Sequence, residues 1–128
     1  MSNQWVKASK NVPHVFGGNC NSTLRHWLDK LGIKDFVHAS LNVHSIDPEA
    51  IELSALYFTR TYVGYDCLIS VGKVADRVLT LAGLDHAPLP PTTTKDKAEI
   101  EAAMVKCRNY LIRRLYYAPT SNGPSISS

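Results

Sequence analysis

The stretch that decides the fold is CLISVGKVADRVLTLAG, residues 67–83. Cys67, Leu68, Ile69 and Val71 form a short apolar run, too continuous for a strand with one wet face. Gly72 interrupts it, and from Lys73 the period changes. Val74, Ala75, Val78, Leu79 and Ala82 then recur on one side of a helix. Gly83 provides a left-handed stop. A buried strand that turns through one glycine into an amphipathic helix is half of a βαβ unit, and it predicts a parallel sheet.

The same alternation continues on both sides. Downstream, residues 84–89 read as a strand running into Pro88, Pro90 and Pro91. A last helix starts near Asp96 and extends to about Tyr116, with Ile100, Met104, Cys107 and Leu111 as its buried stripe. Upstream, residues 36–43 read as a buried parallel strand. Asp47 and Pro48 then open a helix as N-cap and first residue. Ile51, Ala55, Phe58 and Tyr62 share its inner face, and Gly64 ends it. Before them, Asn21 or Ser22 caps a helix carrying Leu24, Trp27, Leu28 and Leu31, stopped at Gly32. Residues 16–21, FGGNCN, read as a turn. Residues 1–15 show no clear period; Trp5 and Val6 read as a strand fragment or a docking anchor. Residues 118–128, rich in Ser, Pro, Gly and Asn, read as a disordered tail. The prediction is one α/β domain over residues 1–117. It has three α/β/α layers around a small, mostly parallel sheet of three or four strands.

Composition narrows the function classes. The chain has 128 residues, 45% hydrophobic and 20% charged, with net charge +3. Its pI of about 8.8 falls short of the footprint of a dedicated nucleic-acid binder. No run is long enough for a membrane span, and the N-terminus lacks a secretory apolar core. A cytoplasmic protein is expected, in the host cytoplasm if viral, and the sequon Asn21-Ser22-Thr23 is then a chance match. Cys20, Cys67 and Cys107 lack metal or disulfide spacing. Cys67 and Cys107 read as reduced core residues, whereas Cys20 sits in the turn. The histidines show no H-x-x-x-H spacing, and neither a metal nor a cofactor is expected.

In open parallel sheets, ligands sit beyond the carboxyl ends of the strands. That places residues 42–46, Gly72 with Lys73, and residues 90–95 at the mouth, joined by the turn holding Gly18 and Asn19. Asn42 and His44 share one face of an extended segment. Thr92 and Thr93 can bond phosphate oxygens, or simply cap the last helix. A second feature is the basic, aromatic end of that helix: Arg108, Arg113 and Arg114 with Tyr110 and Tyr117. It suits a phosphate backbone, a protein partner, or a solvated helix terminus whose cations offset the macrodipole.

Four pieces in order resemble the short, often phage-encoded members of the uracil-DNA glycosylase superfamily. NVPHVFGGNCNSTLRHWLDKLGI is similar to their early segment, an N-x-P-F-x-G stretch before a Ser-started helix with L-x-x-W. FVHASLNV resembles their strand ending in Asn. YDCLISVGKVADRVLTLAGLDHAPLP resembles their strand, L-G-x-x-A helix and strand closing in Leu-Pro. MVKCRNYL resembles the end of their last helix. The resemblance implies that Asn42 reads a nucleobase and that Gly72 follows the third strand. Two departures bear on chemistry. Active members have a first strand closing on a glycine and a water-positioning acidic or polar residue, yet no carboxylate lies upstream of Phe16. They also carry a His-Pro-Ser turn after Leu-Pro, where this chain has Pro91, which has no ionisable group. The resemblance therefore implies a catalytically inactive module that binds a nucleobase, nucleotide or nucleic acid through the mouth. The alternatives are an active glycosylase with rearranged catalytic residues and a viral interaction factor that keeps the fold as scaffold.

Overall fold

The computed structural model describes residues 12–18, 20–39 and 47–115. Four parallel strands alternate with four helices: β1 His14–Phe16, α1 Ser22–Lys30, β2 Val37–Ala39, α2 Pro48–Thr61, β3 Leu68–Val71, α3 Lys73–Leu81, β4 Ala87–Leu89 and α4 Lys97–Leu115. The sheet order is β2-β1-β3-β4. This is the start of a doubly wound sheet, with its topological switch point between β1 and β3.

The predicted α/β class and the parallel sheet are observed. The first strand was not foreseen. His14, Val15 and Phe16 pair with β2 on one side and β3 on the other, so this three-residue strand is central. A strand so short offers no countable period, and its last residue, Phe16, was read as turn. β2 also differs from expectation. It is an edge strand, and Val37 is 44% exposed, because β1 and not β2 occupies the middle. Pro88 is tolerated in β4, the opposite edge, where a missing N–H spoils no ladder bond.

The two faces bury separate cores. Val15, Ile69, Val71, Ala87 and Leu89 meet Leu24, Trp27, Leu28 and Leu31 of the first helical layer, with Cys107, Tyr110 and Leu111 from α4. On the other face Phe16 and Leu68 meet Ile51 and Phe58 of α2 and Ala75, Val78 and Leu79 of α3. α1 and α3 have nine residues each, below the length at which an isolated helix is stable in water. Their burial holds them, at roughly 1.5–3 kcal/mol per fully buried aliphatic side chain. Beneath the second core His14 packs edge-on to Tyr65, with ring centroids 4.8 Å apart, and Phe16 packs on Tyr62 at 4.9 Å.

Caps set the helix starts. Asn21 Oδ1 accepts from Leu24 N at 3.0 Å, Asp47 Oδ1 from Glu49 N at 3.1 Å, and Asp96 Oδ1 from Ala98 N at 3.0 Å. α3 differs: Gly72 precedes it at φ 91° and supplies no side-chain cap.

At the amino end of the sheet, polar ties from α4 replace what the sequence suggested was free surface. The Tyr110 hydroxyl is the most consequential. It accepts from Leu68 N at 2.9 Å and donates to Asp85 O at 3.2 Å, joining the start of β3 to the loop before β4. Tyr110 is buried, and that burial pushes its hydroxyl above the ordinary tyrosine range. Tyr110→Phe leaves Leu68 N–H buried without its partner. An unsatisfied buried donor costs about 1–3 kcal/mol, and the loss is measurable by urea unfolding.

All three cysteines are free, Cys67 and Cys107 in the core and Cys20 half-exposed. Burial pushes the Cys107 thiol up to about 12, and burial likewise raises Cys67. Both therefore stay protonated and inert at neutral pH, since the thiolate is the nucleophile. A thiol-reactive chromogen should label one cysteine, Cys20, in the native state and all three after denaturation; fast native labelling of Cys67 or Cys107 would contradict the packing.

Candidate functional site

The carboxyl mouth of the sheet is built by backbone before it is lined by side chains. Gly17 N donates to Ala39 O at 3.1 Å, and Gly72 N to Leu89 O at 3.0 Å, so each glycine extends a ladder by one bond. The chain then turns sharply, Gly17 at φ 97°, Gly18 at φ 64° and Gly72 at φ 91°. These values lie in the left-handed region that favours glycine. A Cβ on Gly17 would lie 2.6 Å from Val71 O and 2.9 Å from Ala75 Cβ. The absence of a side chain there lets the end of β1 tuck against β3 and the first turn of α3. By contrast, a Cβ on Gly72 would meet nothing within 4 Å, and Gly18 is exposed. Gly72 therefore borders open space, whereas a Cβ on Gly18 would touch Val71 Cγ1 at 3.4 Å, an ordinary contact.

Two long-range bonds brace the mouth. Asn21 caps α1 and also donates through Nδ2 to Thr92 Oγ1 at 3.1 Å, tying the β1–α1 turn to the β4–α4 loop. His38 Nε2 lies 3.2 Å from Gly17 O, a hydrogen bond when that nitrogen carries the proton.

Beside the mouth a groove of about 300 Å³ runs between α3 and α4 over the end of β4. Gly72, Lys73 and Asp76 form one wall, Pro88 to Pro91 the floor, and Glu99, Ala103 and Lys106 the other wall. The carboxylates are already engaged. Asp76 Oδ1 lies 2.7 Å from His86 Nε2, while His86 Nδ1 faces Leu84 O at 2.9 Å. Both His86 contacts are to acceptors, so an imidazolium satisfies both and a neutral ring only one. Glu99 Oε1 accepts from Thr94 Oγ1 at 3.1 Å. Lys73 and Lys106 are exposed at the rim. One more polar atom stands out: Ser70 Oγ, two residues before Gly72, is buried without a hydrogen-bond partner among the described residues.

The sequence-predicted residues divide three ways. Gly72, Lys73 and Pro91 meet in the groove; Gly18 flanks the switch point, and Thr92 is held by Asn21 with Thr93 exposed next to it. Asn19, Asn42, His44 and Tyr117 lie outside the described residues. Arg108, Arg113 and Arg114 sit elsewhere, on the half of α4 that runs back to the amino end. Arg108 Nη2 donates to Lys30 O at 3.1 Å, and Arg114 Nε to Asp66 O at 3.0 Å. Arg113 lies over the Tyr110 ring at 5.8 Å. Arg108 and Arg114 close the ends of other elements, Arg113 stacks within its own helix, and none of the three belongs to the mouth.

The expected mouth residues did not include Asp76, Glu99 or His38, and Asn21 was expected as a cap but not as a tie to Thr92. Asp76 and Glu99 carried one available signal, the helical spacing that puts each in the first turn of a helix starting at the mouth. The pairing of His86 with Asp76 had none, because it joins residues of two elements across the groove's back wall.

Compared with protein-family models, curated proteins and solved structures, the chain matches none.

The glycine geometry makes a graded prediction. Gly17→Ala should cost about 2–5 kcal/mol, combining about 1–2 for the left-handed backbone and about 1–3 for overpacking against Val71 and Ala75. Gly18→Ala should incur only the backbone part, about 1–2 kcal/mol. Urea midpoints of the two variants provide the comparison, and equal losses would contradict the close approach at Gly17.

Proposed function

We propose that this protein holds a nucleobase or nucleotide at the carboxyl mouth of its sheet and binds it without cleaving it. The observation that carries this reading is the switch point itself: Gly72, with open space where a side chain would stand, and the exposed Gly18, beside the start of α3 that no side chain caps and the exposed Lys73. Free N–H groups at a helix start attract a phosphate, and Lys73 adds a positive charge at the same place. The adjoining groove gives an apolar floor of prolines and Leu89 for a flat ring.

The resemblance to uracil-DNA glycosylases supports the choice of ligand. No carboxylate lies upstream of Phe16, where the resemblance expects the residue that positions water in active members. Of the carboxylates at the groove, Asp76 is paired with His86 and Glu99 with Thr94. A base used in proton transfer needs reach to the reacting atom first and a suited pKa second. These two point into bonds that hold α3 and α4 in place. Asn42, carried over from the resemblance, would read the base edge with one acceptor and two donors.

Thermal-shift screening against nucleobases, nucleosides and nucleotides tests the reading, since a ligand that binds the native state raises the midpoint. A nucleotide should raise it. Lys73→Gln should weaken that nucleotide about tenfold, or about 1.4 kcal/mol, and leave a free base unaffected. Asn42→Ala should weaken both. Incubation with uracil-containing single- and double-stranded DNA should yield no abasic sites above background. Base release would establish an active glycosylase instead, and silence across the screen would favour the scaffold reading.

A further inference from the structure

A second cavity lies on the other flank of α4, away from the mouth glycines. It is a groove of about 430 Å³ between α1 and α4. His26, Trp27 and Lys30 line one side, and Ile100, Glu101, Met104, Val105, Arg108 and Asn109 the other. This volume falls within the range of small-ligand sites, which are apolar clefts with a few placed polar groups.

The lining is ordered by charge. Both helices start at the mouth end and run toward the amino end of the sheet, so their residues can be placed along a shared axis. At the far end Lys30, the last residue of α1, meets Arg108, whose Nη2 donates to Lys30 O at 3.1 Å. That bond occupies a terminal carbonyl of α1, whose dipole would otherwise repel an anion. It uses one of the five guanidinium N–H donors, and both side chains are exposed. At the near end stands Glu101, the residue after Ile100. Glu101 and Arg108 are seven residues apart, about 10 Å along the helix axis, roughly a Debye length at physiological salt. The carboxylate therefore opposes an anion at the far end only weakly. Between the two ends lie Trp27, Ile100, Met104 and Val105, and Val105 is 61% exposed.

We propose that the α1–α4 groove binds a small amphipathic carboxylate, its apolar chain along Trp27, Ile100, Met104 and Val105 and its carboxylate between Lys30 and Arg108. A straight chain of eight to ten carbons matches the roughly 10 Å between the charged ends. Met104 supplies a flexible, polarisable wall that adapts to such a chain. The pair of cations at one end decides the polarity of the occupant: a neutral or cationic molecule of the same length gains nothing there. This site is independent of the ligand proposed for the mouth.

Decanoate is the probe, followed by two-dimensional NMR of the full chain. Saturable shifts are expected at the Trp27 indole N–H and the Met104 methyl, below the micellar concentration and below about 1 mM, the limit of a weak specific ligand. Decanol and decylammonium should bind at least fivefold more weakly. Lys30→Gln should weaken decanoate at least fivefold; it keeps the backbone carbonyl that Arg108 bonds, so the helix contact survives, which the unchanged spectrum of the ligand-free variant verifies. Arg108→Gln should do the same. Absent or unsaturable shifts at Trp27 and Met104, shifts centred on the mouth, or an affinity indifferent to both variants would overturn the proposal. Nucleotide binding at the mouth is read separately from these resonances.

Discussion

The seam between β1 and β3 is the constraint on which the rest of this structure depends. β1 is three residues long, yet both neighbouring strands pair with it. It holds its place because Pro13 to Phe16 are fully enclosed and because Gly17 lets the chain end tuck against the Val71 carbonyl. The order β2-β1-β3-β4 follows from that seam, and with it the reversal of winding that opens a mouth between the two strands. A residue with a side chain at position 17 would press on backbone, which cannot give way cheaply.

Around the seam, polar groups are distributed unevenly between the two ends of the sheet. The amino end is tied shut. Tyr110 bridges the start of β3 and the loop before β4, Arg114 holds the residues ahead of β3, and Arg108 closes α1. Each tie reaches a backbone carbonyl or N–H left over at the end of an element, groups that need partners when burial removes water. Among the described residues the mouth carries fewer ties. Asn21 to Thr92 and His38 to Gly17 brace it, while Gly72 faces open space and α3 starts without a side-chain cap.

The two cavities differ in chemistry for the same structural reason. Helices on each face run from mouth to base, so the groove by α3 exposes helix starts and the groove by α1 reaches a helix end. The first therefore combines free N–H groups with Lys73 and suits a phosphate. The second needed a guanidinium on the α1 carboxyl terminus before an anion could approach it. Ser70, buried with an unpartnered hydroxyl among the described residues, is the one polar atom near the mouth that the visible packing leaves unexplained.

What the sequence by itself determined is whatever depends on neighbours along the chain. The period change at Gly72, the stripes Leu24–Trp27–Leu28–Leu31 and Ile51–Ala55–Phe58, and the caps at Asn21 and Asp47 are local patterns, and they were enough to read the α/β class and the parallel sheet. The position of Gly72 and Lys73 at the mouth was legible because a strand-to-helix turn lies at a strand's carboxyl end. Tertiary structure alone decided the rest. It made a three-residue segment too short to show a period into the central strand, and so pushed β2 to the edge. It turned Tyr110, Arg108 and Arg114 from surface into ties, because their partners stand 25 to 78 residues away in the chain. It also brought Asp76 and Glu99 to one groove. Pairings between elements are set by three-dimensional packing, and no local pattern encodes them.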